Sequence, residues 1–318
     1  MFLGVPMKNS KYLPYFAGVI VSTIFGMSFM FTKQALESFG TFHLLAFRFT
    51  LASLVLSVLA LVGVIKVNLK NKPIKELLLL CLFQPIAYFI FETIGVKLTS
   101  SSQAGMMIAL IPVVVTLMAV PFLKESPNKM QSIFIAVSVL GVLFIIAMSG
   151  NLSAKGSLVG ILALLGAVLS GGTYNILSRK LSKHFTPVEI TFIMMWVGAI
   201  FFNGVAIFNS GIQGSLSSYF AGFHSLQAVS AILYLGILSS ICAFFMLNYM
   251  LSKLTASSSA VFSNLTTVIS ILAGVFIRHE AFYWYQLAGG IMIILGVWGT
   301  NYYGVKAAVE KIEINQAL

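Results

Sequence analysis

The sequence predicts an all-α integral membrane protein of ten transmembrane helices, arranged as two inverted five-helix repeats. Three observations carry that reading. Charge is scarce: of 318 residues, 59% are hydrophobic and 8% charged, with a mean hydropathy of +0.99, whereas a soluble domain has about 25% charged residues. Ten apolar runs approach the roughly 20 residues that a membrane helix needs. Segments of the first half also return in the second, shifted by 146 to 156 residues. The eight acidic residues are all Glu. A chain without Asp cannot be an aspartyl-phosphate pump, an intramembrane aspartyl protease or a prenyl transferase with an Asp-rich magnesium site.

The first run, Tyr12–Thr32, follows Lys8 and Lys11. It is too long for a signal peptide and has no A-x-A cleavage site, so it reads as a retained helix. His43–Ile65, Leu77–Val96, Ala104–Leu123 and Met130–Met148 complete the first half. The second half comprises Gly156–Leu177, Ile190–Phe208, Ala228–Leu251, Ser257–Ile277 and Phe282–Tyr303. Helix breakers fall between runs, as in Asn71-Lys72-Pro73, Ser126-Pro127-Asn128 and Thr186-Pro187. The longest gap, from Asn209 to about Gln227, is rich in Gly and Ser and has no Lys or Arg. Period-2 alternation is absent, which excludes a β-barrel. Helices satisfy their own backbone groups where no water can.

Orientation follows from the basic residues. With the N-terminus inside, 14 Lys and Arg fall in inner segments, 4 (Lys33, Lys97, Lys155 and Arg278) in outer ones, and Arg48 within a helix. This bias predicts cytoplasmic N- and C-termini in a multi-pass protein of the plasma (inner) membrane. It also explains the net charge of +11 without nucleic acid. Tyr12, Tyr15 and Phe16 at one helix end and Phe282–Tyr285 at another fit aromatic belts.

The repeat divides the chain into residues 1–150 and 151–318. Lys97-Leu98-Thr99-Ser100-Ser101-Ser102-Gln103-Ala104 returns as Lys253-Leu254-Thr255-Ala256-Ser257-Ser258-Ser259-Ala260, shifted by 156. Gly26, Lys33 and Phe39 match Gly172, Arg179 and Phe185 at a shift of 146. Glu125, Gln131 and Leu140-Gly141-Val142 match Glu280, Gln286 and Leu295-Gly296-Val297 at 155. An odd number of helices per repeat turns the halves upside down relative to each other, the signature of alternating-access transporters.

A repeated five-helix unit with K-L-T-S-S-S before its fourth helix, Pro112 inside it and Glu125 after it resembles the EamA family of the drug/metabolite transporter superfamily. Phe91-Glu92-Thr93-Ile94-Gly95-Val96-Lys97 and the in-helix Arg48 fit as well. The resemblance covers about residues 13–148 and 158–303. It implies ten helices in two inverted halves, a central cavity that opens alternately to each side, and export of a small metabolite without ATP. Thr267 stands where the family's helix-nine proline would fall, and Met194 occupies the repeat position of Arg48.

Charges inside a bilayer are costly and are paired or functional. Arg48 lies five residues after His43 and Glu92 five before Lys97, which puts both roughly 7.5 Å below the outer boundary. An intramembrane ion pair locking helices two and three is expected, and Glu92 is also a candidate proton acceptor or ligand for a substrate amine. The repeat partner of Glu92 is the neutral Asn248. Tyr88, Tyr174, Asn175, Trp196, Asn248 and Asn264 are further candidates to line a cavity. Such an aromatic and amide surface suits amphipathic organic solutes such as amino acids. Gln84, Ser239, Ser240, Thr266 and Thr267 are also polar, but Ser and Thr in membrane helices mostly bond their own carbonyls.

Glu125 and Glu280, each just past a helix end, are expected to stabilise the N-terminus of the helix that follows. His43, His184, His224 and His279 do not cluster, so no metal is expected. Cys81 and Cys242 lie in apolar runs as small core residues. No nucleotide motif, paired carboxylates or nucleophile motif supports an enzyme or a cofactor. Asn151-Leu152-Ser153 forms a sequon in an outer loop. Gly156-xxx-Gly160, Gly166-xxx-Ser170 and Gly289-Gly290 offer small-residue faces for packing within the chain or, less commonly, for a homo-dimer. The partners expected are a small-molecule solute and the lipid bilayer, with no catalysed reaction. A channel or a solute sensor on the same fold, without active transport, is the alternative reading.

Overall fold

The computed structural model describes residues 13–123, 127–148, 155–212, 220–254 and 256–317. Glu125, the Asn151 sequon and the lysines at 8 and 11 lie outside these residues. The described chain is helical and contains no strand. Its helices are α1 (Leu13–Ala35), α2 (Thr41–Leu61), α3 (Ile74–Leu98), α4 (101–123) and α5 (Lys129–Met148). There follow α6 (Lys155–Leu181), α7 (Pro187–Ile212), α8 (Leu226–Lys253), α9 (256–277) and α10 (Trp284–Ala317). Eight stretches among the described residues, in α1 to α8, are long and apolar enough to cross a membrane. In α9 the apolar stretch Asn264–Ile277 is shorter. The expected gap after Asn209 is narrower than the sequence implies, because α7 runs to Ile212 and a short turn forms at Ala221–His224.

Four of these helices depart from a regular ladder. Pro85 lacks an N–H, and the ladder of α3 widens over Leu82–Ala87, where Gln84 leaves helical conformation at φ −149° and ψ 116°. A similar widening spans Tyr234–Ala243 in α8. In α4 the helix divides into Ser101–Ile108 and Ile111–Leu123, with Pro112 opening the second piece. Where α9 has Thr267 instead of proline, the ladder is regular from Ala256 to Leu272 and widens only over Ala273–Ile277.

Lipid supplies no hydrophobic force between helices, so close packing requires small residues. Gly141 on α5 meets Gly289 on α10, and Gly296 lies against Ser138. Gly160 and Gly166 on α6 meet Leu98, Thr99 and Phe91 on α3. These glycine faces are therefore filled by the chain's own helices. Beyond these pairs, α2 packs on α7, α1 on α8 and α9, and α6 on α4. Leu54, Val58, Ile200, Phe208 and Leu287 point outward as an apolar belt.

Candidate functional site

Arg48 projects from α2 into the middle of the bundle and is 2% exposed. Its Nε donates to Ser240 Oγ and its Nη2 to Ser239 Oγ, both at 2.8 Å. The guanidinium carbon stands 4.3 Å from the centre of the Phe89 ring, a geometry that adds cation–π attraction. Local structure makes the contact possible. Gly236 on α8 packs against Leu51 and the Arg48 carbonyl, so the two backbones run close together. The widened turn of α8 then turns two consecutive hydroxyls toward one guanidinium. Ser239 and Ser240 thus accept hydrogen bonds across helices, which satisfies a cation that would be costly to bury unpaired.

Glu92, on α3, is 3% exposed, and Thr93 Oγ1 donates to its Oε2 at 3.1 Å. Arg48 and Glu92 do not form the expected ion pair, since neither is within 4 Å of an oppositely charged group among the described residues. The hydroxyls of α8 draw the guanidinium away, and the two charges act on each other only through the field. Each thus retains hydrogen-bonding capacity for a third group.

Asn248, at the repeat position of Glu92, makes three hydrogen bonds to two other helices. Its Oδ1 accepts from Tyr174 Oη at 2.6 Å and from Ser178 Oγ at 2.8 Å, and its Nδ2 donates to Thr191 Oγ1 at 3.1 Å. All four residues are at most 1% exposed. Asn248 and Tyr174 therefore tie α6, α7 and α8 together and do not line an open cavity. Trp196 is likewise a tie, donating from Nε1 to Ser57 Oγ of α2 at 3.0 Å. Tyr88 is half-buried against Gly171 of α6, and Asn175 is half-buried. Asn264 keeps a buried Oδ1 without a partner among the described residues. Arg48, Glu92 and Tyr88 lie within electrostatic reach of one another, and no hydrogen bond among the described residues joins them to Trp196 or to the Asn248 cluster.

At the Lys33 end of the bundle, charged caps hold the turn between α3 and α4. Lys33 Nζ donates to the carbonyls of Val96, Lys97 and Thr99 at 2.8, 3.1 and 2.5 Å, satisfying the end of α3. Glu280 takes the backbone N–H groups of Ser101 and Ser102 at 3.0 and 3.1 Å and the Ser102 hydroxyl at 3.0 Å. Glu280 therefore caps α4, not the helix that follows it, since its loop lies over the first turn of α4. At the start of α10 the Gln286 side chain accepts from the Tyr283 N–H instead. Burial alone would raise the Glu280 pKa, but hydrogen bonds from Ser101 and Ser102 outweigh it and hold the carboxyl below its ordinary value. Arg278 pairs with Glu37 beside it. A pocket of about 410 Å³ opens here, lined by Lys33, Gln103, Arg278, Glu280 and Gln286 among others, and neither Arg48 nor Glu92 reaches it.

The other end carries a different anchor. Glu189 accepts from the Asn68 and Thr186 N–H groups and pairs with Lys72 at 2.6 Å. The Thr186 hydroxyl accepts from the Glu189 N–H, completing a capping box at the start of α7.

Comparison with known proteins gives the chain its place. It is 37% identical over 295 residues to "Uncharacterized transporter YcxC" of Bacillus subtilis (strain 168), covering 93% of this chain and 95% of that one. Against "Probable terminal-alkyne amino-acid exporter" of Streptantibioticus cattleyicolor it is 25% identical over 297 residues, again 93% of this chain and 95% of the other. A solved crystal structure shares the fold with a TM-score of 0.62 at 16% identity, over 90% of this chain and 95% of that one. The sequence pattern described as "EamA-like transporter family" matches twice, at residues 13–147 and 158–302. The chain belongs to the EamA-like transporter family.

Proposed function

We propose that this protein is a secondary transporter that exports small amphipathic, amino-acid-like solutes across the cytoplasmic membrane by alternating access. In this reading ten helices form two inverted halves, residues 1–150 and 151–318, with both termini cytoplasmic. Packing supports the two halves. The contact of α1 with α8 and α9 has its counterpart in that of α6 with α3 and α4, while α2–α7 and α5–α10 each pair equivalent helices. Gly26 meets Ile269 on α9 and Gly172 meets Val114 on α4, and Val114 and Ile269 lie 155 apart in the sequence.

The observation that carries the substrate class is the unjoined pair of Arg48 and Glu92. A guanidinium and a carboxylate held apart, each by neutral hydroxyls, offer a zwitterion one partner for its carboxylate and one for its ammonium. The relative whose printed name is an amino-acid exporter points to the same class. Glu92 is the single carboxylate deep in this bundle among the described residues, which makes it the acid for proton coupling.

The test starts without a chosen substrate, by comparing extracellular metabolites between cells with and without the protein. Solutes found that way are then measured in proteoliposomes. Saturable, gradient-dependent flux of an amino-acid-like solute is expected. Unsaturated conductance would identify a channel, and binding without flux a sensor.

A further inference from the structure

The Thr32 side chain, in α1, is fully buried, and its hydroxyl has no hydrogen-bond partner among the described residues. This is unusual for a threonine inside a helix, whose hydroxyl ordinarily bonds the carbonyl one turn back. Thr23, Thr116, Thr173, Thr191 and Thr300 of this chain all do so. Thr32 therefore forgoes an available local bond, and a buried donor left in that state calls for a partner in some other arrangement of the molecule.

The repeat identifies that partner. The 146-residue shift that aligns Lys33 with Arg179 puts Thr32 on Ser178, and the 156-residue shift that aligns Lys97 with Lys253 puts Glu92 on Asn248. In the second half these two positions are joined, with Ser178 Oγ donating to Asn248 Oδ1 at 2.8 Å. The elements correspond too: Ser178 and Asn248 sit where α6 packs on α8, and Thr32 and Glu92 lie on α1 and α3, which also pack together. An amide oxygen and a carboxylate oxygen are equivalent acceptors for a hydroxyl. In this conformation, however, the Glu92 carboxylate takes its hydrogen bond from Thr93.

Inverted halves exchange conformations when the protein turns from one side to the other. We propose that in the opposite-facing conformation the Thr32 hydroxyl donates to the Glu92 carboxylate, as Ser178 does to Asn248 here. Thr32 is thus a positioning residue that receives the carboxylate at the end of its swing. The inference rests on the two-half reading given above and does not require that Glu92 carry a proton.

Disulfide trapping tests it without a solute. In a Cys81→Ala, Cys242→Ala background, Thr32→Cys with Glu92→Cys is oxidised by copper phenanthroline in proteoliposomes, and the remaining thiols are counted with a maleimide. Ser178→Cys with Asn248→Cys serves as the reference for a bonded pair. Both pairs are expected to lose their thiols. A first pair that stays reduced while the reference closes overturns the proposal. A second measurement covers a Cys pair that fails to fold. In infrared spectra recorded in the opposite-facing conformation, the Glu92 carboxylate band, assigned by its loss in Glu92→Gln, is expected to move in Thr32→Val and to return in Thr32→Ser. A band unmoved by Thr32→Val overturns the proposal. Failure of the transport reading shows itself elsewhere, as absence of solute flux in the unaltered protein.

Discussion

In the second half of the molecule Asn248 is held by Tyr174, Ser178 and Thr191 on α6 and α7. In the first half Glu92 occupies the matching position and accepts a hydrogen bond from its own neighbour Thr93, while the matching hydroxyl on α1 is unpartnered. A neutral residue bonded to three buried hydroxyls is a fixed joint, because moving it would leave several buried groups unsatisfied at once. A carboxylate with few partners is the reverse. Its environment is costly, and that cost is relieved by a solute, a proton or a change of conformation. One framework thus supports a fixed joint on one side and a responsive group on the other.

The sharpest way to break this comparison is to make the two positions alike. Glu92→Gln turns the responsive group into an amide and is expected to abolish pH-gradient-driven flux, a fall of at least about tenfold in initial rate if an intramembrane acid carries the coupling. Proteoliposomes with an imposed pH gradient read this directly. Unchanged gradient-driven accumulation by the variant would reduce Glu92 to architecture.

Arg48→Met comes next, since methionine is what the second half has at the equivalent position, Met194. The change removes two hydrogen bonds from a charged group to Ser239 and Ser240, each worth about 1.5–3 kcal/mol. It also leaves Glu92 without the cation whose field it feels. Lower thermal stability in detergent and loss of transport of carboxylate-bearing solutes are expected together. Arg48→Lys cannot reach both hydroxyls in the same planar fork and should recover only part of either. Transport of a zwitterion at the normal rate by Arg48→Met would remove Arg48 from the solute site.

Asn248→Ala attacks the fixed joint. The hydroxyls of Tyr174 and Ser178 would lose their acceptor in a fully buried place, at a cost of about 1–3 kcal/mol for each unsatisfied group. Stability is expected to drop while the pH profile of the remaining flux keeps its shape. A pH profile displaced as in Glu92→Gln would mean that the two positions play one role, and the contrast between the halves would fall.

The sequence made much of this legible. Scarce charge and apolar runs identified a membrane protein of helices, and the shifted K-L-T-S-S-S block aligned residues 156 apart that occupy equivalent joints. What it left hidden are the angular relations around each helix. Arg48 and Glu92 share a depth, which is a matter of counting residues. Whether they meet depends on which way the guanidinium turns, and that was decided by Ser239 and Ser240 in the widened turn of α8. Trp196 read as a cavity residue because indole is amphipathic, yet its N–H found Ser57 on the adjoining helix. Glu280 was legible as a cap, but the sequence named the following helix, while the fold brought the start of α4 to it.

Glu280 gives the smallest and most local effect, at the end of the molecule where α9 and α10 meet α4. Its carboxylate sits on the N-terminus of α4, where a negative charge contributes about 0.3–1 kcal/mol. Glu280→Gln keeps the shape and removes the charge, so the first turn of α4 is expected to open about two- to fivefold more often. A cysteine introduced by Gln103→Cys beside the pocket, labelled with a membrane-impermeant maleimide, reads this as a faster rate. The sign of the pH dependence follows from the same bonds. The hydrogen bonds from Ser101 and Ser102 hold the carboxyl below its ordinary value, against the opposing effect of burial. Its contribution to capping α4 is therefore complete above the ordinary glutamate value of about 4.3 and is lost as pH falls through the lowered one. Between about pH 5 and 8 the ratio of labelling rates, Gln103→Cys with Glu280→Gln over Gln103→Cys alone, should stay constant, because Glu280 remains ionised throughout. A ratio that collapses toward one as pH falls from 7 to 6 would mean that Glu280 titrates far above its expected range and that its bonds do not hold the first turn of α4.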